Sequence, residues 1–171
     1  MANRSNKRLD TRLEAEGAEF LVLGTLLAEG IQAMKAYTRF PGYDLFAFNP
    51  VEQRQCRIQV KSRWATDYNR GFPLKEDVHC DFVVFVALNR GYRHKRRKTP
   101  TDSGRRTPEV YVFPIELVQP LVFVSGGWSK IMLDRVPQVD KYKDNWDLIR
   151  RYLRLSAPAP PKDESEDEPD V

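Results

Sequence analysis

The sequence predicts one α/β domain, a central mixed β-sheet flanked by helices, and three observations carry that expectation. Residues 81–88 (DFVVFVAL) form an almost unbroken β-branched and aromatic run, as expected of a strand covered on both faces. Residues 11–29 and 142–155 place apolar side chains at helical spacing, which supplies the covering layers. At 171 residues and 41% hydrophobic content the chain can bury one sizeable core.

The elements follow in order. In the first helix Leu13, Ala18, Leu21, Val22, Leu26 and Leu27 form the apolar face, and Gly30 is its C-terminal stop. Residues 31–38 (IQAMKAYT) are a first strand. Pro41 and Gly42 turn the chain into a second, 43–48 (YDLFAF), whose alternation sets Tyr43, Leu45 and Ala47 against Asp44, Phe46 and Phe48. Asn49-Pro50 breaks it, and 57–64 (RIQVKSRW) returns as the partner of a hairpin. Gly71 and Pro73 argue against regular structure in 65–79. After the apolar run, 90–106 reads as a long flexible basic loop, 109–113 (EVYVF) as another strand and 115–118 as a short helix. Gly126-Gly127-Trp128 is a turn, and Val122, Phe123, Val124 and Trp128 form an exposed apolar patch or, on the simpler account, part of the core. Trp146, Ile149 and Leu153 mark the buried side of the last helix, 142–155. The domain is thus 12–155, between a flexible start at 1–11 and a disordered Pro-rich and acidic tail at 156–171.

The charge is unevenly distributed. The formal net charge is +4, but residues 162–171 carry one Lys and six acids, so the remainder carries +9. A basic body implies a polyanionic partner. The longest apolar stretch, 20–28, has nine residues where a membrane span needs about 20, so no membrane association is expected. The polar N-terminus lacks a signal-peptide core, which predicts a cytoplasmic location. Cys56 and Cys80 lack metal-ligand or disulfide spacing and are expected to be reduced thiols; the lone His79 and His94 receive no role.

Four residues form the constellation with chemical content: Glu19, Asp44, Gln59 and Lys61. Gln59 and Lys61 are two apart on a strand and share a face, with Val60 on the other. If the hairpin pairs antiparallel, Asp44 comes close to that face. Carboxylate and amide oxygens suit Mg²⁺, and an adjacent ammonium can hold a phosphate or an attacking water. Each residue alone has a plainer reading: a solvated helix face for Glu19, a turn cap for Asp44, the wet side of a strand for Gln59 and Lys61. Their coincidence favours a site. Glu14, Glu16 and Glu29 are read as solvated.

At these residues the sequence resembles the PD-(D/E)XK nuclease superfamily, whose pattern is a helix Glu, a strand Asp after a turn and a strand (Asp/Glu)-x-Lys. Here Glu19 lies in EGAEFLVLGTLLAEG, Asp44 in PGYDLF and Gln59-Val60-Lys61 in RIQVKSR. The GYDL turn and QVK triplet are most similar to the small Holliday-junction-resolvase and intron homing-endonuclease branches. The resemblance covers 12–64 by motif and implies a restriction-endonuclease-like fold and Mg²⁺-dependent cleavage of DNA, with Mn²⁺ a substitute. It also implies that Glu19, Asp44, Gln59 and the Val60 carbonyl bind metal and that Lys61 acts on the attacking water. Gln59 departs from the pattern, leaving two carboxylates in place of three. By analogy with those branches a homo-dimer or homo-tetramer is expected.

The loop 90–106 holds eight Lys/Arg and one acid. Arg93, Lys95, Arg96, Arg97, Lys98, Arg105 and Arg106 are its candidate DNA contacts, joined by Arg63 and Arg70; Trp64 flanks the substrate path or packs. The leading expectation is a metal-dependent DNA endonuclease. The alternative is a nuclease-like module without cleavage that binds DNA or RNA through this loop.

Overall fold

The computed structural model describes residues 11–36, 42–67, 71–94 and 97–156. Helix α1 (Arg12–Ala28) buries Ala18, Val22 and Leu26, one residue per turn along a single stripe. It ends as the glycine predicts: Gly30 adopts φ +72°, and the Gly30 and Ile31 amides donate to the Leu27 and Leu26 carbonyls at 3.0 and 2.8 Å, a Schellman closure. Leu13 is 85% exposed and Leu27 is also exposed, so the apolar stripe is narrower than the sequence implies.

A meander of β1 (Ala33–Lys35), β2 (Leu45–Asn49) and β3 (Arg54–Arg63) begins the main sheet. The β2–β3 hairpin is antiparallel with Leu45 opposite Ile58, as expected. Strand β5 (Phe82–Ala87) then lies parallel to β3 and β6 (Glu109–Pro114) antiparallel to β5, giving the mixed order β1-β2-β3-β5-β6. All six residues of β5 are buried, which is why its sequence shows no alternation.

A second sheet, absent from the sequence reading, contains β4 (Gly71–Pro73), β7 (Phe123–Ser125) and β8 (Trp128–Met132) in the order β4-β8-β7. Gly71 and Pro73 thus sit in an edge strand, the place in a sheet where proline is tolerated. Phe72 stacks on Phe85 of the main sheet, ring centroids 4.6 Å apart. Gly126 and Gly127, both at positive φ, make the tight β7–β8 turn. Val124 and Trp128 at its sides are each 62% exposed, which corrects their assignment to the core.

Each face of the main sheet therefore has its own cluster. Ile58, Val60 and Val84 pack with Ala18, Val22 and Leu26 of α1 and with Ile149 of α3 (Asp147–Tyr152). Val83, Phe85, Tyr111 and Phe113 pack with Phe72, Ile131 and helix α2 (Ile115–Val118). Helix α3 is shorter than 142–155 because residues 139–142 form a 3-10 turn and Asp144 takes φ +48°, yet Trp146, Ile149 and Leu153 are buried as expected. Strand β1 is likewise shorter than 31–38.

The basic segment is a loop, as expected, and its described residues are anchored. Arg90 bridges Arg105, the Tyr92 amide donates to the Ser103 carbonyl at 3.0 Å, and the Thr66 hydroxyl donates to the Gly104 carbonyl at 2.5 Å. Arg106 grips Asp102 through two contacts at 2.9 and 3.0 Å, which holds the Asp102 carboxyl far below its usual range.

The parallel β3–β5 pair is locked at its start by Asp81. Its carboxylate accepts the Arg57 amide at 2.7 Å and two guanidinium bonds at 3.1 Å, while the Asp81 amide donates to the Arg57 carbonyl at 2.9 Å. Burial pushes the Asp81 carboxyl upward, but these bonds and the Arg57 charge outweigh it and the net shift is downward. Asp81→Asn is therefore expected to cost about 1–3 kcal/mol of stability at neutral pH. The deficit, read by urea unfolding, should hold down to the ordinary aspartate value of 3.8 and shrink below it, as pH falls toward the depressed native value. A deficit that grows on acidification would refute this role.

Candidate active site

The site originates where β2 stops. The ladder with β3 runs from Asn49 opposite Arg54 to Leu45 opposite Ile58, and the Asp44 amide adds a bond to the Ile58 carbonyl at 2.9 Å. Alternate residues of a strand direct their backbone groups toward opposite neighbours, so Val60, like Ile58, turns toward β2, which no longer reaches it. Its amide needs another acceptor. Asp44 Oδ2 supplies it at 2.7 Å. The Gln59 side-chain nitrogen donates to the same oxygen, an assignment fixed because an ionised carboxylate only accepts. Asp44 Oδ1, Gln59 Oε1 and the Val60 carbonyl accept no hydrogen bond from the described residues. The carboxylate, the side-chain amide and the Val60 peptide are thus held side by side, and their remaining oxygens are of the kind hard cations prefer.

Gln59 is only 7% exposed. It shares a sheet face with Lys61 and Arg63, opposite Val83, Phe85 and Ala87, while Val60 packs on the α1 side as expected. Lys61 is half-buried and makes no hydrogen bond or ion pair with a described residue.

Glu19 approaches from α1 and is half-buried. Burial raises its carboxyl, a bond from Lys35 lowers it, and the Asp44 charge raises it again, with a net upward shift. The two carboxylates therefore sense each other, although no hydrogen bond joins Glu19 to Asp44, Gln59 or Lys61. Lys35 is a participant the sequence reading missed. Its ammonium, 7% exposed, pairs with Glu19 at 2.8 Å and with Glu16, and stands 4.7 Å above the Phe20 ring. A lysine within the apolar IQAMKAY strand, on the same face as Leu45 and so toward α1, was the available signal.

Other acids read as solvated also have partners. Glu16 pairs with Lys35, and Glu29 with the buried Arg150 at 3.3 Å. Glu14 is raised by burial in spite of bonds from the Ser62 hydroxyl and the Trp64 backbone. Cys56 and Cys80 are free and buried, and burial pushes both thiols up to about 12. Among the described residues no three His, Cys, Asp or Glu side chains converge on a metal position.

Of the candidate cationic contacts, Arg63 lies 4.8 Å over the Phe72 ring, and Arg93 is exposed, with its amide and that of His94 bound to Asp67 at 2.8 and 3.0 Å. Arg97, Lys98, Arg105 and Arg106 are exposed on the basic segment; Arg70, Lys95 and Arg96 lie outside the described residues.

No protein-family model matches the chain, and no curated protein sequence does. Among solved structures it is similar to a bacterial homing endonuclease, I-Ssp6803I, at 23% identity, covering 83% of this chain and 93% of that one with a TM-score of 0.52. It also aligns at 17% identity with Hjc, a Holliday junction resolvase of Archaeoglobus fulgidus, over 69% of this chain and 90% of that one. The TM-score of 0.38 is too low for that likeness to carry weight. The first likeness establishes the fold: the mixed five-stranded sheet and flanking helices are an architecture shared with that homing endonuclease.

Lys35→Met should raise the Glu19 carboxyl further, since it removes the contact that lowers it and leaves burial and Asp44 in place. Carbon-detected NMR titration of the Glu19 carboxyl is the measurement. An unchanged or lowered midpoint would show that Lys35 does not act on Glu19.

Proposed function

We propose that the protein is a metal-dependent DNA endonuclease that hydrolyses phosphodiester bonds with an activated water. The observation that carries this reading is the pair of bonds that Asp44 Oδ2 accepts from the Val60 amide and the Gln59 side chain, with Lys61 on the same strand face as Gln59 and free of hydrogen bonds and ion pairs to described residues, and with the Glu19 carboxyl on α1 sensing the Asp44 charge. The nuclease-like fold and the basic charge of the chain support it.

The donor set suits Mg²⁺, with Mn²⁺ an alternative, because every available ligand is oxygen. When bound, the cation would lower the pKa of a coordinated water and neutralise charge on the phosphate. Asp44, Gln59 and Val60 would hold it, and Glu19 would join them directly or through water. Lys61 would orient the attacking water and stabilise the additional negative charge on the phosphate as the bond to the leaving oxygen breaks. Lys35 would keep Glu19 ionised as burial opposes it, so activity should fall as pH drops into the elevated Glu19 range. Arg93, Arg97, Lys98, Arg105 and Arg106, with Arg63, Arg70, Lys95 and Arg96, would supply phosphate contacts. Cutting both strands of a duplex calls for two sites, which favours a homo-dimer or homo-tetramer.

Plasmid and branched DNA incubated with the protein in Mg²⁺ or Mn²⁺ should be cleaved, and a chelator should abolish the cleavage. Asp44→Ala and Lys61→Ala should each reduce the rate at least about a hundredfold. Equal activity in all three proteins would remove these residues from the mechanism. DNA binding that is salt-dependent and indifferent to metal and to Asp44, with no cleavage, would identify a binding module instead. A solution mass equal to one 19.9 kDa chain on DNA would contradict the oligomer.

A further inference from the structure

Beside the metal-binding candidates lies a cleft that the cleavage chemistry does not use. It has a volume of about 990 Å³ and lies against the end of β3, the start of α1, the rim of the basic segment and the β4-β8-β7 sheet. Arg63, which lines the cleft, is two residues beyond Lys61 on the same face of β3, a step of about 6.6 Å from the proposed site of attack.

Its lining combines two chemistries. Trp64, Tyr92 and Trp128 supply aromatic rings, Trp64 and Trp128 being exposed to solvent. Arg63, Arg93 and Lys130 supply positive charge around them. Flat apolar faces interleaved with cations match an alternation of bases and phosphates. The volume is at the upper end of small-ligand pockets, about 300–1,000 Å³, enough for a few nucleotides of one strand. Glu14 also lines the cleft, its carboxyl raised by burial in spite of bonds from Ser62 and the Trp64 backbone.

We propose that this cleft binds an unstacked single-stranded segment of the DNA substrate next to the scissile phosphate. Bases stack on Trp128 and Trp64, and the backbone lies along Arg93 and Lys130. This rests on the endonuclease reading for its substrate, but binding can be measured without cleavage. It also gives the exposed β7–β8 hairpin a function: Trp128, beside the Gly126-Gly127 turn, forms one wall of the cleft and takes up a base.

The test uses full-length protein carrying Asp44→Ala, so that no cleavage intervenes, and fluorescence anisotropy with three DNAs: a short single strand, an intact duplex, and the same duplex with a three-nucleotide gap. The gapped duplex and the single strand should bind more tightly than the intact duplex. Adding Trp128→Ala should weaken both about tenfold while changing intact-duplex affinity less than about twofold. Adding Lys130→Gln should lower the salt dependence of single-strand binding by about one counterion. Trp128 and Lys130 lie at the surface of a hairpin, and circular dichroism will confirm that both variants are folded. An equal effect of Trp128→Ala on all three DNAs, or no effect on any, would overturn the proposal, as would a loss of affinity traced to a changed oligomeric mass. If Lys61→Ala leaves wild-type cleavage intact while the gapped-DNA preference holds, the site assignment fails and the cleft stands; the converse isolates the cleft.

Discussion

The hydrogen bond from the Val60 amide to Asp44 is the constraint on which the site depends. A β-strand that loses its neighbour exposes a donor, and a buried donor without an acceptor costs about 1–3 kcal/mol. Asp44, the residue immediately before β2 begins, resolves that shortage with one carboxylate oxygen and leaves the other available. The same oxygen orders the Gln59 amide and thereby decides which way its carbonyl oxygen faces. Secondary-structure termination and ligand placement are consequently one event. Moving the end of β2 by one residue would transfer the carboxylate to the opposite face of the sheet.

The surrounding layers make this geometry rigid. Helix α1 covers one face of β3, and the β4-β8-β7 sheet with α2 covers the other face of the main sheet, so β3 and β5 are clamped between two clusters. Arg57 and Asp81 fix the offset between those strands at one end, and the stacked pair Phe72–Phe85 ties the second sheet to the first. Glu19 arrives on the helix, Asp44 and Gln59 on the hairpin, and the cleft lining comes largely from the second sheet and the basic segment. The side chains of the site thus rest on α1 and on the β2–β3 hairpin, both packed into the core.

Local pattern revealed much of this. The Gly30 stop, the β2–β3 hairpin, the fully buried β5 and the four-residue α2 follow from periodicity and punctuation, because each is decided by neighbours in the chain. The triplet and Asp44 were legible for the same reason: strand alternation fixes their face. The second sheet was not, since Gly71-Phe72-Pro73 lacks strand propensity and is held by pairing with a segment nearly sixty residues later. Tertiary pairing overrides local preference there. Lys35 was missed because its importance arises from α1 folding over it, and the anchoring of the basic segment was missed because Asp67 and Thr66 hold it from outside its own stretch of sequence.

The β2–β3 hairpin has a consequence for the order of assembly. Residues 50–53 close it as a short loop, so Asp44, Gln59 and Val60 can meet through contacts local in sequence, on the microsecond scale of hairpin formation. The parallel β3–β5 pair must instead await closure of the crossover through 64–81, and β4 on that crossover must find β8. The ligand cluster therefore belongs to the fast-forming part of the molecule and the aromatic cleft to the slow part. A chain stalled during folding would carry the Asp44–Gln59–Val60 cluster without the aromatic wall proposed to receive single-stranded DNA.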